Sequence, residues 1–161
     1  GRPDAMTPPP RRRKRIRLDL ALYAEVGRVC SITIAVQRRR PVFANPVVAA
    51  SAVSVLRSQA ERAAVCVHAY CIMPDHVHLV AEPSARCDLV TFVARFKNLA
   101  QRAAWVLGVE GQFWQPSFWD HFLRRDEGLR RVIEYVLDNP VRAGLVATRH
   151  DYPFAGAPAY E

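Results

Sequence analysis

Residues 65–82 constrain the fold more than any other stretch of this chain. Val65 to Ile72 and His76 to Glu82 are strand-like runs on either side of Met73-Pro74-Asp75. Two such runs joined by a short turn holding Pro and Asp mark an antiparallel hairpin. With a three-residue turn, Ile72 pairs with His76, Tyr70 with His78 and His68 with Val80. Tyr70, His76 and His78 then share one face, and Val77 and Leu79 share the other. The apolar face needs helices against it, and the flanking sequence offers them. Val29 to Gln37 reads as a first strand and Val47 to Ala64 as a helix. Leu89 to Leu107 reads as a second helix, with Leu89, Phe92, Val93, Phe96, Leu99, Ala100 and Ala103 in one apolar stripe. The aromatic segment Phe113 to Leu123, interrupted by Pro116, reads as a loop entering a last strand. Asp126 is placed to cap a final helix from Glu127 to about Asn139, where Pro140 is expected to stop it.

The order β-α-β-β-α-β, then a helix, implies an α+β fold: a ferredoxin-like antiparallel sheet (βαββαβ) with helices on one face and an added C-terminal helix. A chain of 161 residues, 50% hydrophobic, can bury one real core. We place that domain at residues 18–150, after a basic, disordered arm at 1–17 and before a tail at 151–161. No apolar run approaches the roughly 18 residues of a membrane span. The basic, proline-rich start lacks the apolar stretch of a secretion signal, so a cytoplasmic location is expected. Cys30, Cys66, Cys71 and Cys87 show no CxxC spacing and read as reduced thiols, not as a disulfide frame or zinc site.

The net charge of +8 is confined to residues 1–40, where eleven Lys/Arg face three Asp/Glu; the remainder is balanced. Arg11, Arg12, Arg13, Lys14 and Arg15, with Arg38, Arg39 and Arg40, suit a phosphate backbone, whose neutralisation releases counterions. A solubilising arm is the plainer alternative. On the second helix, Arg95, Lys97, Asn98 and Arg102 fall off the apolar stripe, so Lys97 and Arg102 are further candidates for phosphate contact or part of a solvated face.

His76 and His78 lie one residue apart on a strand and project to the same side, so they can hold one divalent ion between their rings. On the final helix, at about 100° per residue from Leu129, the apolar side chains centre near zero, while Tyr135 falls at about 240° and Asn139 at about 280°. A phenol attacks only once its proton is removed. A divalent ion polarises a phosphoryl oxygen, and an amide oxygen can ligate it. Two histidines, a helical tyrosine and an amide therefore suggest phosphodiester transesterification. Each part alone also has a packing role. Tyr70 is a rival nucleophile, since the register above sets it opposite His78. His68 and His121 are possible site neighbours, and Asp120 with His121 a possible hydrogen-bonded pair. Trp105, Trp114, Phe118 and Trp119 either belong to the core or stack unpaired bases, at about 1–3 kcal/mol each.

The run Ala69-Tyr70-Cys71-Ile72-Met73-Pro74-Asp75-His76-Val77-His78-Leu79-Val80 resembles the His-hydrophobic-His (HUH) motif of single-tyrosine transposases. Tyr135-Val136-Leu137-Asp138-Asn139-Pro140-Val141-Arg142-Ala143-Gly144-Leu145-Val146 resembles the tyrosine helix and following turn of one branch, the REP-associated tyrosine transposases. Phe96-Lys97-Asn98, Phe113-Trp114-Gln115 and Asp120-His121 resemble that branch between the two motifs, so the likeness spans roughly Val29 to Val146. It implies a transposase-like, Mg²⁺- or Mn²⁺-dependent endonuclease and strand transferase on single-stranded, hairpin-forming DNA. In that reading His76, His78 and Asn139 are metal ligands, and Tyr135 is the nucleophile that takes the 5′-phosphate. The likeness also implies a self-contained monomer, in preference to the homodimer that related transposases form by swapping the tyrosine helix. Asp75 departs from the family's usual asparagine; its carboxylate would raise metal affinity or cap the turn. Two other readings stay open: a hairpin-binding protein without catalysis, and an unrelated metal hydrolase with water as nucleophile.

Overall fold

The computed structural model describes residues 20–124 and 128–161. The arm with Arg11, Arg12, Arg13, Lys14 and Arg15, and the proposed cap Asp126, lie outside the described residues. The elements run α1 Leu20–Ala24, β1 Cys30–Ala35, α2 Pro46–Ala63, β2 Cys66–Met73, β3 His76–Glu82, α3 Leu89–Val106, β4 Trp119–Phe122, α4 Leu129–Leu137, α5 Asn139–Arg142 and β5 Ala155–Gly156. The strands form one antiparallel sheet in the order β4-β1-β3-β2-β5. The first four give the expected ferredoxin-like arrangement.

Local chemistry sets the helix ends. The Asn45 side chain accepts the Val47 N–H at 3.0 Å and Pro46 opens α2, where its missing donor costs nothing. Asp88 caps α3 by accepting the Thr91 N–H at 2.8 Å. Each strand then divides its side chains between two layers. Ile32 and Ile34 of β1, Tyr70 and Ile72 of β2, and Val77 and Leu79 of β3 face α2 and α3 in the main core. The other face carries His76, His78 and Val80, with Ala69, Cys71 and Met73 beside them. Ile133 and Val136 of α4 cover part of that second face.

The hairpin register corrects the sequence reading. The turn is the two residues Pro74 and Asp75, so Met73 pairs with His76, Cys71 with His78, Tyr70 with Leu79 and Ala69 with Val80. A one-residue change in turn length moves every side chain of β2 to the opposite face. Tyr70 therefore sits in the main core, 1% exposed, where its hydroxyl accepts a hydrogen bond from Arg57 Nε at 3.1 Å. It does not share the histidine face, and its candidacy as nucleophile ends there.

Pro140 does not stop the last helix as expected. The chain leaves α4 at Asp138 and re-enters one further helical turn, α5, with Pro140 in its first turn. There a missing N–H leaves no intrahelical bond unmade. Arg149 braces this junction through paired hydrogen bonds to Asp138, both 2.8 Å. Residues 151–161, read from sequence as a tail, return along β2. Ala155 and Gly156 pair with Cys71 and Tyr70, the Tyr152 hydroxyl donates to the Ile72 carbonyl, and Glu161 takes two hydrogen bonds from Arg57 at 2.8 and 2.9 Å. No helix among the described residues is long and apolar enough to cross a membrane.

Candidate active site

Strand alternation sets His76 and His78 side by side, and their two Nε2 atoms lie 2.9 Å apart with ring planes at 89°. Both far nitrogens have partners. His76 Nδ1 lies 2.6 Å from Asp75 Oδ1, and His78 Nδ1 lies 3.3 Å from Thr33 Oγ1 on β1. A carboxylate or hydroxyl on Nδ1 fixes the ring and leaves the Nε2 lone pair to face a ligand. Asp75, the departure from the family pattern, is thus the group that orients His76. Arg39 Nη1 approaches the same carboxylate at 3.9 Å. Burial pushes the His76 imidazole below its ordinary pKa; Asp75 pulls it partly back and Arg39 adds to the lowering. A neutral imidazole is the form that binds metal. Burial pushes the thiol of Cys71, opposite His78, up to about 12.

Two donors each 2.0–2.1 Å from one octahedral ion, at right angles, stand about 2.9 Å apart. The histidine nitrogens have that separation, which is also that of a hydrogen bond between the two rings, so the pair can close on one divalent ion with open positions left for other ligands.

The α4–α5 segment forms the second half of the site. Tyr135 is 50% exposed, off the apolar stripe that buries Ile133 and Val136. The Arg142 guanidinium lies 3.6 Å from the centroid of the Tyr135 ring, and its Nη2 donates to Asn139 Oδ1 at 2.6 Å. Asn139 Nδ2 is buried and has no hydrogen-bond partner. Tyr135 of α4 and Asn139 and Arg142 of α5 therefore form one group, and α4 packs through Ile133 and Val136 on Ala69, Cys71, Met73 and Val80 of the histidine face. Sequence reasoning assigned no role to Thr33 or Arg142. Arg142 was accessible to it, since seven residues after Tyr135 returns nearly to the same helix face. Thr33 was not, because only the register of β1 against β3 brings it to His78.

The other expected site residues scatter. Arg38 and Arg39 are exposed, and both adopt positive φ, 56° and 53°. Arg40 is engaged by the Glu110 and Gln112 carbonyls at 3.0 and 2.7 Å. Lys97 donates to the Gln115 and Ser117 carbonyls at 2.9 and 3.0 Å and so braces the aromatic loop. Arg102 is exposed on α3. Trp114 and Phe118 are core residues, whereas Trp105 is 46% exposed. Asp120 accepts from the Tyr23 hydroxyl. His121, its neighbour on β4, points to the other face by strand alternation.

Known proteins are similar to this chain in sequence and in fold. A REP-associated tyrosine transposase of Escherichia coli K12 is 29% identical over 90 residues, covering 55% of this chain and 52% of that protein. A Haemophilus influenzae candidate of the same description is 31% identical over 54% of this chain and 56% of its own length. The chain spans about half the length of the curated relatives it matches. A solved structure described as a REP-associated tyrosine transposase bound to a REP hairpin superposes with a TM-score of 0.67 at 22% identity, over 83% of this chain and 78% of that one. A Deinococcus radiodurans structure solved as a candidate transposase gives a TM-score of 0.51 at 23% identity, over 78% of this chain and 96% of that one. Both structures carry the same fold. The family described as "Transposase IS200 like" matches residues 29–137, from the start of β1 to the end of α4, and so takes in both histidines and the tyrosine. With its histidine pair on β3 and its tyrosine on a helix packed against the same face of the sheet, the chain belongs to the IS200-like transposase family.

Proposed function

We propose that this chain is a divalent-metal-dependent, single-strand DNA endonuclease and strand transferase that works through a 5′-phosphotyrosine at Tyr135. The observation that carries the reading is the convergence of two anchored histidines, Nε2 to Nε2 at 2.9 Å, on the sheet face that the tyrosine helix covers. His76 and His78 would hold the ion, with Asn139 as third ligand through Oδ1, which accepts from Arg142 at 2.6 Å and would turn from it to the ion. When bound there, Mg²⁺ or Mn²⁺ supplies Lewis-acid polarisation of a phosphoryl oxygen. Imidazole and amide donors suit Mn²⁺, and Mg²⁺ competes by abundance.

The chain's own residues do the rest. Asp75 and Thr33 hold the imidazoles in place. Arg142 clamps the Tyr135 ring from one side and brings a fixed positive charge to the phosphate that the phenol would attack. Tyr135 Oη forms a bond to phosphorus, and the bond from phosphorus to the 3′-oxygen breaks. The phenol proton is lost, the 3′-oxygen leaves as a hydroxyl, and the covalent link keeps the bond energy for rejoining, so no nucleotide cofactor is required. Arg38, Arg39, Arg102 and the arm residues Arg11 to Arg15 would neutralise phosphates of the bound strand. Arg40 and Lys97 would act by shaping the loops they brace. The relative described as bound to a REP hairpin supports hairpin-forming DNA as the substrate. The chain would act as a monomer in preference to a homodimer.

Incubation with labelled hairpin DNA and Mn²⁺, followed by a denaturing gel, tests this. The wild-type chain should give a covalent protein–DNA band that Tyr135→Phe abolishes while retaining hairpin binding. An adduct in Tyr135→Phe, or hairpin binding by the wild type without any adduct, refutes the assignment.

A further inference from the structure

Among the described residues, one group of three His, Cys, Asp or Glu side chains converges closely enough to hold an ion, and it is not the histidine pair. Cys66, His68 and Glu82 lie at the opposite end of the β2–β3 hairpin, with their donor atoms all within 4.8 Å of one another. Cys66 begins β2 and pairs with Glu82 at the end of β3. His68 joins them because of a β-bulge: Val67 pairs with Ala81 and Ala69 with Val80, so His68 is the extra residue and its ring turns toward Cys66 and Glu82. A bulge of this kind re-aims a side chain at the cost of local pairing. His68 is 7% exposed, the one polar or charged residue in the buried core of the described chain.

The Cys66–His68 separation fits zinc. In a tetrahedral site with a thiolate sulfur at about 2.3 Å and an imidazole nitrogen at about 2.0–2.1 Å, the two donors stand about 3.6 Å apart. Cys66 Sγ and His68 Nε2 are 3.7 Å apart. Glu82 Oε2, now 2.9 Å from the same nitrogen, would withdraw by about half an ångström to reach the tetrahedral spacing. The outer nitrogen is braced as metal-bound histidines usually are, with His68 Nδ1 2.8 Å from the Tyr160 hydroxyl.

We propose that Cys66, His68 and Glu82 form a second metal site, selective for Zn²⁺, with a fourth position open to water. Its donor set differs in kind from that of His76, His78 and Asn139. A thiolate selects a soft or borderline ion and disfavours Mg²⁺. This assignment departs from the sequence reading, which took all four cysteines as plain thiols. Without the ion, burial and the neighbouring Glu82 hold the Cys66 thiol protonated, so binding releases that proton. Zinc here would join the first residue of β2 to the last residue of β3. Through Tyr160 it would also join them to the C-terminal segment that edges the sheet.

Iodoacetamide labelling of the 161-residue chain, mapped by peptide mass spectrometry, tests the site without any variant. At Zn²⁺ ten times above its dissociation constant, Cys66 should react about tenfold more slowly, and equal Mg²⁺ should not protect it. Cobalt substitution should add a thiolate-to-cobalt charge-transfer band. Glu82→Gln should weaken both effects, and Cys87→Ser should change neither. Unchanged Cys66 labelling with zinc, or no charge-transfer band on the folded wild-type chain, overturns the proposal and leaves a His68–Glu82 hydrogen bond in its place. Neither readout depends on DNA cleavage, so failure here is distinct from failure at Tyr135.

Discussion

Ile133→Ala should loosen the tyrosine helix while leaving the rest of the fold closed. α4 has nine residues, too short to persist in water on propensity alone, so its order comes from what it buries. Its two buried side chains are Ile133, 9% exposed, and Val136, 3% exposed. They pack on Ala69, Cys71, Met73 and Val80, a cluster separate from the main core under α2 and α3. Truncating Ile133 removes three carbons, worth about 2.4 kcal/mol at roughly 0.8 kcal/mol each. Incomplete collapse of the space left behind adds to this, within the roughly 2–5 kcal/mol found for such changes. At about 1.4 kcal/mol per tenfold, opening of α4 should become at least 50-fold more frequent. Hydrogen exchange followed by mass spectrometry reads this directly. Amides of peptides covering Leu129 to Leu137 should lose about that much protection, while β1 and α3 keep theirs. Adduct formation should fall in step, because Tyr135 sits between the two anchoring residues in sequence. Equal loss of protection across β1 and α3 would refute the claim that this cluster is an independent unit. Unchanged exchange in α4 would refute the claim that these side chains seat the helix.

Asp75→Ala should weaken Mn²⁺ binding about 10–100-fold, because it removes the carboxylate on His76 Nδ1; Asp75→Asn, which keeps an acceptor, should lose far less. Isothermal titration in the absence of DNA measures both, and wild-type affinity in Asp75→Ala would contradict the orienting role. The C-terminal segment should undock in acid. The Arg57 hydrogen bonds hold the Glu161 carboxyl below its ordinary value of 4.5. A depressed folded-state value means the tie is fully present above 4.5 and is lost as pH falls through the folded value. The pair is solvent-exposed, so the effect is small and local. Exchange in the 152–161 peptide, taken relative to its intrinsic rate at each pH, should rise on acidification through that range in the wild type. In Arg57→Ala it should already be raised at neutral pH and change little with acid; the same acid response in both chains would refute the link.

Periodicity carried much of the architecture. Leu89 to Leu107 announces α3 because its stripe matches the helical repeat, and His76-Val77-His78 announces a shared face because strands alternate. The off-stripe angle of Tyr135 foretold its exposure. The failures share a cause. The Met73-Pro74-Asp75 turn was read one residue too long, and that parity error alone put Tyr70 beside His78. The bulge at His68 left no mark on local pattern, since it is defined against β3 and not within β2. Pro140 looked like a terminator because proline ends a helix it interrupts, yet it also opens a new one.

By itself the sequence determined which chemical groups the protein owns and the period on which each is displayed: two imidazoles on a strand, a phenol and an amide on a helix, a basic start. Local rules suffice there, because side-chain direction follows from strand and helix geometry. Tertiary structure decided which of those groups meet. The register of β1 against β3 brought Thr33 to His78. Burial of Ile133 and Val136 set Tyr135, Asn139 and Arg142 over the histidine face, and the return of residues 152–161 along β2 brought Tyr160 to His68. These meetings join residues up to 92 positions apart. They arise from closing one sheet and covering both its faces, which no window of neighbouring residues encodes.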